Sequence, residues 1–274
     1  MIQVDERQHT LACMEVWGTN RNVIRTVELP DLTAWVYSKP ADGDVGGDVH
    51  YLSVCGQAVL SRVVLADVSG HGAQVSGSAQ LLQALMREHI NTWDQTEFVR
   101  GLNKSFRGCV TRGKYATAVI LGILRGTGET AFTSAGHLPP LWYRSNSKRW
   151  EWMDERSECK PDRAQPVKDD EACKGDCGVD GLPVGLIQGT TYRQTFVQVQ
   201  PEDILVLYTD GITEAQDGFG DMLGRDRLMT WARMAPTDSP SSTGQFLLDR
   251  LSEFRKDNFT DDETIIAIQR GNLS

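Results

Sequence analysis

The chain has 274 residues, 40% hydrophobic and 24% charged, which is enough apolar side chain for one extensive core. Its formal net charge of -9, from 37 acidic and 28 basic residues, argues against a general nucleic-acid surface, because the phosphate backbone rewards clustered Lys and Arg. A local basic patch, or a phosphorylated substrate held through metals, stays compatible with that balance.

No apolar run approaches the roughly 18 to 20 residues needed to span a bilayer. The opening residues, MIQVDERQHT, are polar and acidic rather than signal-like, so a cytoplasmic location is expected.

In chain order, β-branched and aromatic runs predict strands over 32–38 and 63–69. Val75, Ala79, Leu82, Leu85, Met86 and Ile90 then recur at helical spacing, predicting a helix from Ala73 to Ile90. A second helix is expected through 96–106, with Thr96 its candidate cap. Strands follow over 117–124 and 131–135. The stretch 144–180 is polar and charged, and reads as a surface insertion rather than a second domain. A strand over 204–209, helices through 226–234 and 243–254, and a strand over 263–269 complete the pattern. Separated helices among many strands suggest one domain, 1–274, of sheets covered by helices.

The six cysteines divide by position. Cys13, Cys55 and Cys109 lie in or beside apolar stretches and are expected as reduced, buried thiols. Cys159, Cys173 and Cys177 crowd into the polar insertion, one ligand short of a usual structural zinc set.

Four acidic loci fall at turns or strand ends: Asp48 in DVGGDVH, Asp67 in LADVSGHG, Asp210 in LYTDGITEA, and Asp261 with Asp262 in TDDETIIAI. Converging carboxylates in a low-dielectric pocket oppose one another. Hard divalent cations such as Mg²⁺ and Mn²⁺ relieve that conflict, because they favour oxygen ligands. Taken singly, each locus also has a structural reading. Asp210-Gly211 makes an ordinary turn, Asp42 and Asp44 are plain loop residues, and Asp262 suits a cap or a supporting partner.

Gly46, Gly47, Gly70 and Gly72 would let backbone approach an ion or phosphate. They match neither the GxxxxGK[ST] loop nor the GxGxxG fingerprint. Ser69, Ser76 and Ser134 lack the GxSxG elbow of serine hydrolases. His137, in SAGHLPP, reads as a structural hydrogen-bonding residue at a tight crossing.

Taken in order, GGD (46–48), DVSGHG (67–72), TSAGHLPPLWY (133–143), GLPVGL (181–186), LYTDGITEA (207–215) and DDETIIAI (261–268) resemble the protein phosphatase 2C-like (PPM) family, in its bacterial SpoIIE/RsbU form. The resemblance implies an α+β fold: a four-layer α-β-β-α sandwich with two central, mainly antiparallel sheets. It implies two Mn²⁺ or Mg²⁺ ions at one edge. Asp67 would bridge them, the Val68 carbonyl would bind the second, and Asp210 and Asp261 would hold the first. Asp48 would serve in or near the inner shell, and Asp262 would tune its neighbour. The implied reaction is hydrolysis of phosphoserine or phosphothreonine by a metal-activated water, without a phosphoenzyme. For the general acid, His71 and metal-held water stay open.

The resemblance also implies a phosphorylated protein substrate of the anti-anti-sigma regulatory type and coupling to a sensor or receiver domain. The short stretch before the first motif leaves no room for one, so control by a separate sensor protein or by self-association is expected. Two other accounts of the same residues are a catalytically inactive phosphoprotein-binding module and another two-metal phosphoesterase.

Overall fold

The computed structural model describes residues 8–19, 21–70, 73–89, 91–111, 113–153, 181–255 and 259–271. The chain runs β1 (His9–Thr10), β2 (Val16–Trp17), β3 (Val23–Leu29), β4 (Leu32–Lys39), β5 (Asp48–Val54) and β6 (Leu60–Val68). Helices α1 (Ala73–Glu88) and α2 (Gln95–Cys109) follow, then β7 (Ala116–Leu124), β8 (Glu129–Ala135), β9 (Leu141–Arg144) and β10 (Arg149–Trp152). The last third holds β11 (Thr195–Gln198), β12 (Ile204–Tyr208), α3 (Asp210–Thr213), α4 (Gly224–Ala232), α5 (Pro240–Arg255) and β13 (Glu263–Arg270).

These strands make two sheets, ordered β1-β3-β4-β13-β12-β9-β10 and β11-β8-β7-β6-β5-β2. The β1–β3 pair is parallel, and the other pairs are antiparallel. Side-chain alternation then sorts residues into layers. Along β6, Val63 and Leu65 join Leu52, Leu121, Phe132, Trp142, Leu205 and Ile266 in a core between the sheets. Val64 and Ala66 point the other way, onto Val75, Leu82, Phe98 and Phe106 of α1 and α2. On the opposite flank, Leu228, Leu247 and Leu251 of α4 and α5 pack against Trp35, Tyr37 and Val206. The result is the expected α-β-β-α sandwich. A Cβ at Gly244 would sit 2.1 Å from the Trp35 ring, so only glycine lets α5 lie this close to the sheet.

Some local expectations are corrected. The cap of α2 is Asp94, not Thr96: Asp94 Oδ1 accepts the Glu97 amide at 3.0 Å, and Thr96 Oγ1 donates to that oxygen at 2.6 Å. The expected insertion at 144–180 contributes a strand before it leaves the described residues. Arg149–Trp152 pairs with β9, burying Trp150 and Met153. Residues 154–180, including Cys159, Cys173 and Cys177, lie outside the described residues. Cys13 and Cys109 are exposed and Cys55 is half-buried, all three free thiols. Cys109 ends α2 rather than entering its packed face, which explains the difference from the expected burial.

Candidate active site

The acidic loci lie where the two sheets meet at one edge. Asp48 opens β5, and its register partner near the end of β6 is Asp67. Asp210 opens α3 directly after β12, while Asp261 and Asp262 form the turn leading into β13. Sheet packing therefore joins loci that are more than a hundred residues apart in sequence.

Asp48 is buried, and the opposite sheet reaches across to it. Thr209 Oγ1 and Thr264 Oγ1 each donate to Asp48 Oδ2 at 2.8 Å. Thr209 Oγ1 also accepts the Thr264 amide at 3.0 Å, which locks the two hydroxyls together.

Asp262 does a different job. Its Oδ1 accepts the Ala41 amide at 2.6 Å, and its Oδ2 accepts the Gly47 amide. Both oxygens thus hold the loop that delivers Asp48. A Cβ at Gly46 would come within 2.6 Å of this carboxylate, and one at Gly47 within 2.7 Å of Val75 and 3.1 Å of the Val68 carbonyl oxygen. The two glycines exist because backbone, carboxylate and helix converge there. A Cβ at Gly211 would meet the Asp262 carbonyl oxygen at 2.0 Å, so α3 is seated on the same turn. Asp261 Oδ1 accepts the amide of Asp262 at 2.8 Å.

Electrostatics ties the loci together. Burial, then Asp210, Asp261, Asp262 and Glu214, push the Asp67 carboxyl up to about 7. Burial and Asp67 hold Asp48 well above the usual carboxylate range, partly offset by the two threonine hydroxyls. Asp210 is raised by burial and by Glu214. Negative charge is disfavoured in this cluster, the condition that a cation relieves.

The structure thus brings Asp48, Asp67, Asp210 and Asp261 to one edge, with Asp262 occupied by backbone amides. Val68 is at the same place, its amide donating to the Gly47 carbonyl at 3.3 Å. The donor set is all oxygen, which suits Mg²⁺ or Mn²⁺. Among the described residues, no group of three or more His, Cys, Asp or Glu side chains stands close enough together to hold a metal ion as placed. His71 lies outside the described residues.

His137 is structural. Its Nδ1 pairs with Thr117 Oγ1 at 2.8 Å and its Nε2 with the Tyr208 carbonyl at 3.2 Å, stapling one sheet to the other. Burial lowers its pKa to about 4, so it is neutral.

Three contributors escaped the sequence reading: Thr209, Thr264 and Glu214. Glu214 follows Asp210 by four residues, a spacing visible in DGITEA that places both carboxylates together after one turn. The threonines carry no such signal, because hydroxyls are common in strands.

The sequence pattern described as Stage II sporulation protein E (SpoIIE) matches residues 60–158 and 167–271. Among solved structures, the RsbU and RsbW domains of Rv1364c from Mycobacterium tuberculosis superpose with a TM-score of 0.67 at 19% identity, over 97% of this chain and 64% of that one. The PP2C phosphatase domain of SpoIIE from Bacillus subtilis, with a fragment of its regulatory domain, gives 0.66 at 15% identity, over 87% and 63%. The SiaA-PP2C domain of Pseudomonas aeruginosa gives 0.67 at 19% identity, over 86% and 85%. The match spans a little under two thirds of the first two of these chains. Among curated protein sequences none matches. The pattern match covers well over half of the chain, which has the fold these structures share, and the protein belongs to the Stage II sporulation protein E (SpoIIE) family.

Proposed function

We propose that this protein is a metal-dependent protein serine/threonine phosphatase that hydrolyses a phosphomonoester with an activated water. The observation that carries this reading is the convergence of Asp48, Asp67, Asp210 and Asp261 at one sheet edge, where burial and neighbouring carboxylates raise Asp48, Asp67 and Asp210. Carboxylates so opposed to one another gain from a bound cation, and such perturbed groups mark a functional site.

In this reading Asp67, the Val68 carbonyl, Asp210 and Asp261 would hold two Mn²⁺ or Mg²⁺ ions, with Asp48 alongside. The ions, when bound, acidify water and offset the charge of the phosphoryl group. Thr209 and Thr264 hold Asp48 through Oδ2 and so fix the direction of its other oxygen, which would be placed to accept a hydrogen bond from the water that attacks. Asp262 fixes the 41–48 loop rather than binding an ion. Glu214 adds negative charge beside Asp210 and strengthens the site's attraction for cations. His137 gives no proton, since both its nitrogens are engaged between the sheets.

The substrate in this reading is a phosphorylated protein of the anti-anti-sigma regulatory type. Three free thiols support a reducing, cytoplasmic setting. Among the described residues no helix is long and apolar enough to cross a membrane.

The test is phosphate release from a phosphoserine peptide with Mn²⁺ or Mg²⁺, with and without chelator, in the native chain and in Asp210→Asn. Metal-dependent turnover that the substitution removes, with the fold intact, supports the proposal. Turnover indifferent to chelator and substitution sinks the mechanism. Binding of the phosphopeptide without turnover selects the inactive binding module instead.

A further inference from the structure

Between Glu97 and Glu129 the sequence has no acidic residue, yet it carries Arg100, Lys104, Arg107, Arg112, Lys114 and Arg125. Between Asp180 and Glu202 there is again none. In a chain of net charge -9 this is a strong segregation of sign.

The fold lays these two stretches against each other. Ala116 and Val184 form an antiparallel bridge. Asn103 Oδ1 accepts the Gly185 amide at 2.6 Å, and its Nδ2 donates to the Ile187 carbonyl at 3.0 Å. Arg107 donates to the carbonyls of Gly185 and Leu186 at 3.1 and 2.6 Å. Arg107, Val110, Thr111, Gly113, Lys114 and Gly185 line a pocket of about 280 Å³. Lys104 is exposed one helical turn before it, and Leu186 and Ile187, 37% and 47% exposed, stand at its rim.

This surface is continuous with the acidic edge. Lys114 Nζ donates to the Ser69 carbonyl at 3.0 Å, and Ser69 and Tyr115 exchange further bonds of 2.9 and 3.1 Å. Ser69 lies two residues beyond Asp67.

Resting on the phosphatase reading above, we infer that the surface formed by the end of α2, Lys114 and the 181–187 loop docks the polypeptide of the phosphoprotein substrate, through an acidic face around an apolar contact. Acidic side chains flanking a phosphoserine gain from positive charge next to the edge where the phosphoryl group would be held. The basic face supplies that charge and speeds encounter at low salt. The exposed aliphatic pair favours a protein over nucleic acid, which would gain from the charge but not from Leu186 and Ile187.

The experiment compares kcat/KM, with Mn²⁺, for two phosphoserine peptides of equal length. One has Glu and Leu around the phosphoserine, the other Lys and Leu, and p-nitrophenyl phosphate reports chemistry without docking. The acidic peptide is expected to be better by about tenfold at low salt, with the advantage fading at high salt. Lys104→Glu and Ile187→Asp should each lower the ratio of acidic-peptide to aryl-phosphate kcat/KM several-fold. Arg233→Glu, the same charge change at the end of α4 on the opposite outer layer, should leave that ratio alone. Equal rates for the two peptides, or a ratio indifferent to Lys104→Glu, overturn the inference. So does a short DNA duplex that binds tightly where the acidic peptide shows no preference. Failure to hydrolyse even the aryl phosphate strikes the phosphatase reading. Docking is then decided by fluorescence anisotropy of the same two peptides, whose equal affinity would overturn it.

Discussion

Asp48 and Asp67 face each other across neighbouring antiparallel strands, a pairing that brings two carboxylates together at the edge of a sheet. Directly opposed like charges destabilise a strand pair. The opposition is aggravated by burial and by Asp210, Asp261, Asp262 and Glu214 around Asp67. Two threonine hydroxyls from the other sheet are a partial remedy on the Asp48 side.

Removing one of these charges should therefore help the empty fold. Asp67 is held at about 7, well above its usual value of 3.8, so the folded state loses stability as pH rises between those values and carries the full penalty of the buried charge above about 7. Asp67→Asn is expected to stabilise the chelator-treated protein at pH 8 by on the order of 2–4 kcal/mol, read from urea unfolding. The same substitution should abolish metal-dependent phosphate release. Unchanged stability would mean that the carboxylates are not crowded.

Metal affinity should rise with pH. A proton on Asp67 competes with the cation until pH passes about 7, so Mn²⁺ binding releases protons below that point. Calorimetry in two buffers of different ionisation enthalpy should show the release at pH 6 and much less at pH 8. Affinity that is flat over this interval contradicts the assignment of Asp67.

Asp262 offers a separation of fold from ligation. Asp262→Ala leaves the amides of Ala41 and Gly47 without their acceptor, at a cost of about 2–4 kcal/mol. Asp262→Asn keeps one carbonyl acceptor and should lose about half as much. Both should slow turnover by loosening the loop before Asp48, while saturating Mn²⁺ recovers most of the rate. A complete loss that Mn²⁺ does not recover would make Asp262 a ligand.

The hydroxyls on Asp48 should be visible in a pH–rate profile. They favour its ionised form, so Thr209→Val or Thr264→Val should move the acidic limb of kcat/KM to higher pH, by about one unit. A lower rate with an unmoved limb would limit the threonines to packing.

A separate acid sensitivity comes from His50. It is buried, neither ring nitrogen has a hydrogen-bond partner among the described residues, and burial lowers its pKa to about 3. The unfolded chain takes up this proton near pH 6.5 and the folded chain does not until about 3, so stability falls as pH drops between those values. His50→Leu should remove that slope and raise stability at pH 5 by about 2 kcal/mol relative to its effect at pH 8. Parallel stability curves for the two proteins would show that His50 does not titrate on unfolding.

Much was legible in the order of residues. The helical spacing from Val75 to Met86 and the β-branched runs at 117–124 and 263–269 reappear as α1, β7 and β13. The acidic loci could be found because each sits beside an apolar strand. Strand β5 was missed, since Asp48, His50 and Ser53 break its apolar run although the whole strand is buried. β10 was hidden by charge, because as an edge strand it buries Trp150 while Arg149 and Glu151 face outward.

By itself, the sequence determined which residues are acidic, where glycine frees the backbone, and which segments are apolar enough to become strands and helices. Tertiary structure decided the division of labour among the acids. Thr209 and Thr264 lie 161 and 216 residues from the carboxylate they touch, and Asp262 lies 215 from the Gly47 amide it accepts. Hydrogen bonds and charge act over a few ångströms, so their partners exist only after two sheets have closed face to face. Local pattern can place each carboxylate on a strand end or a turn. Only the closed sandwich separates Asp67, crowded by other charges, from Asp262, whose two oxygens are already taken by backbone amides.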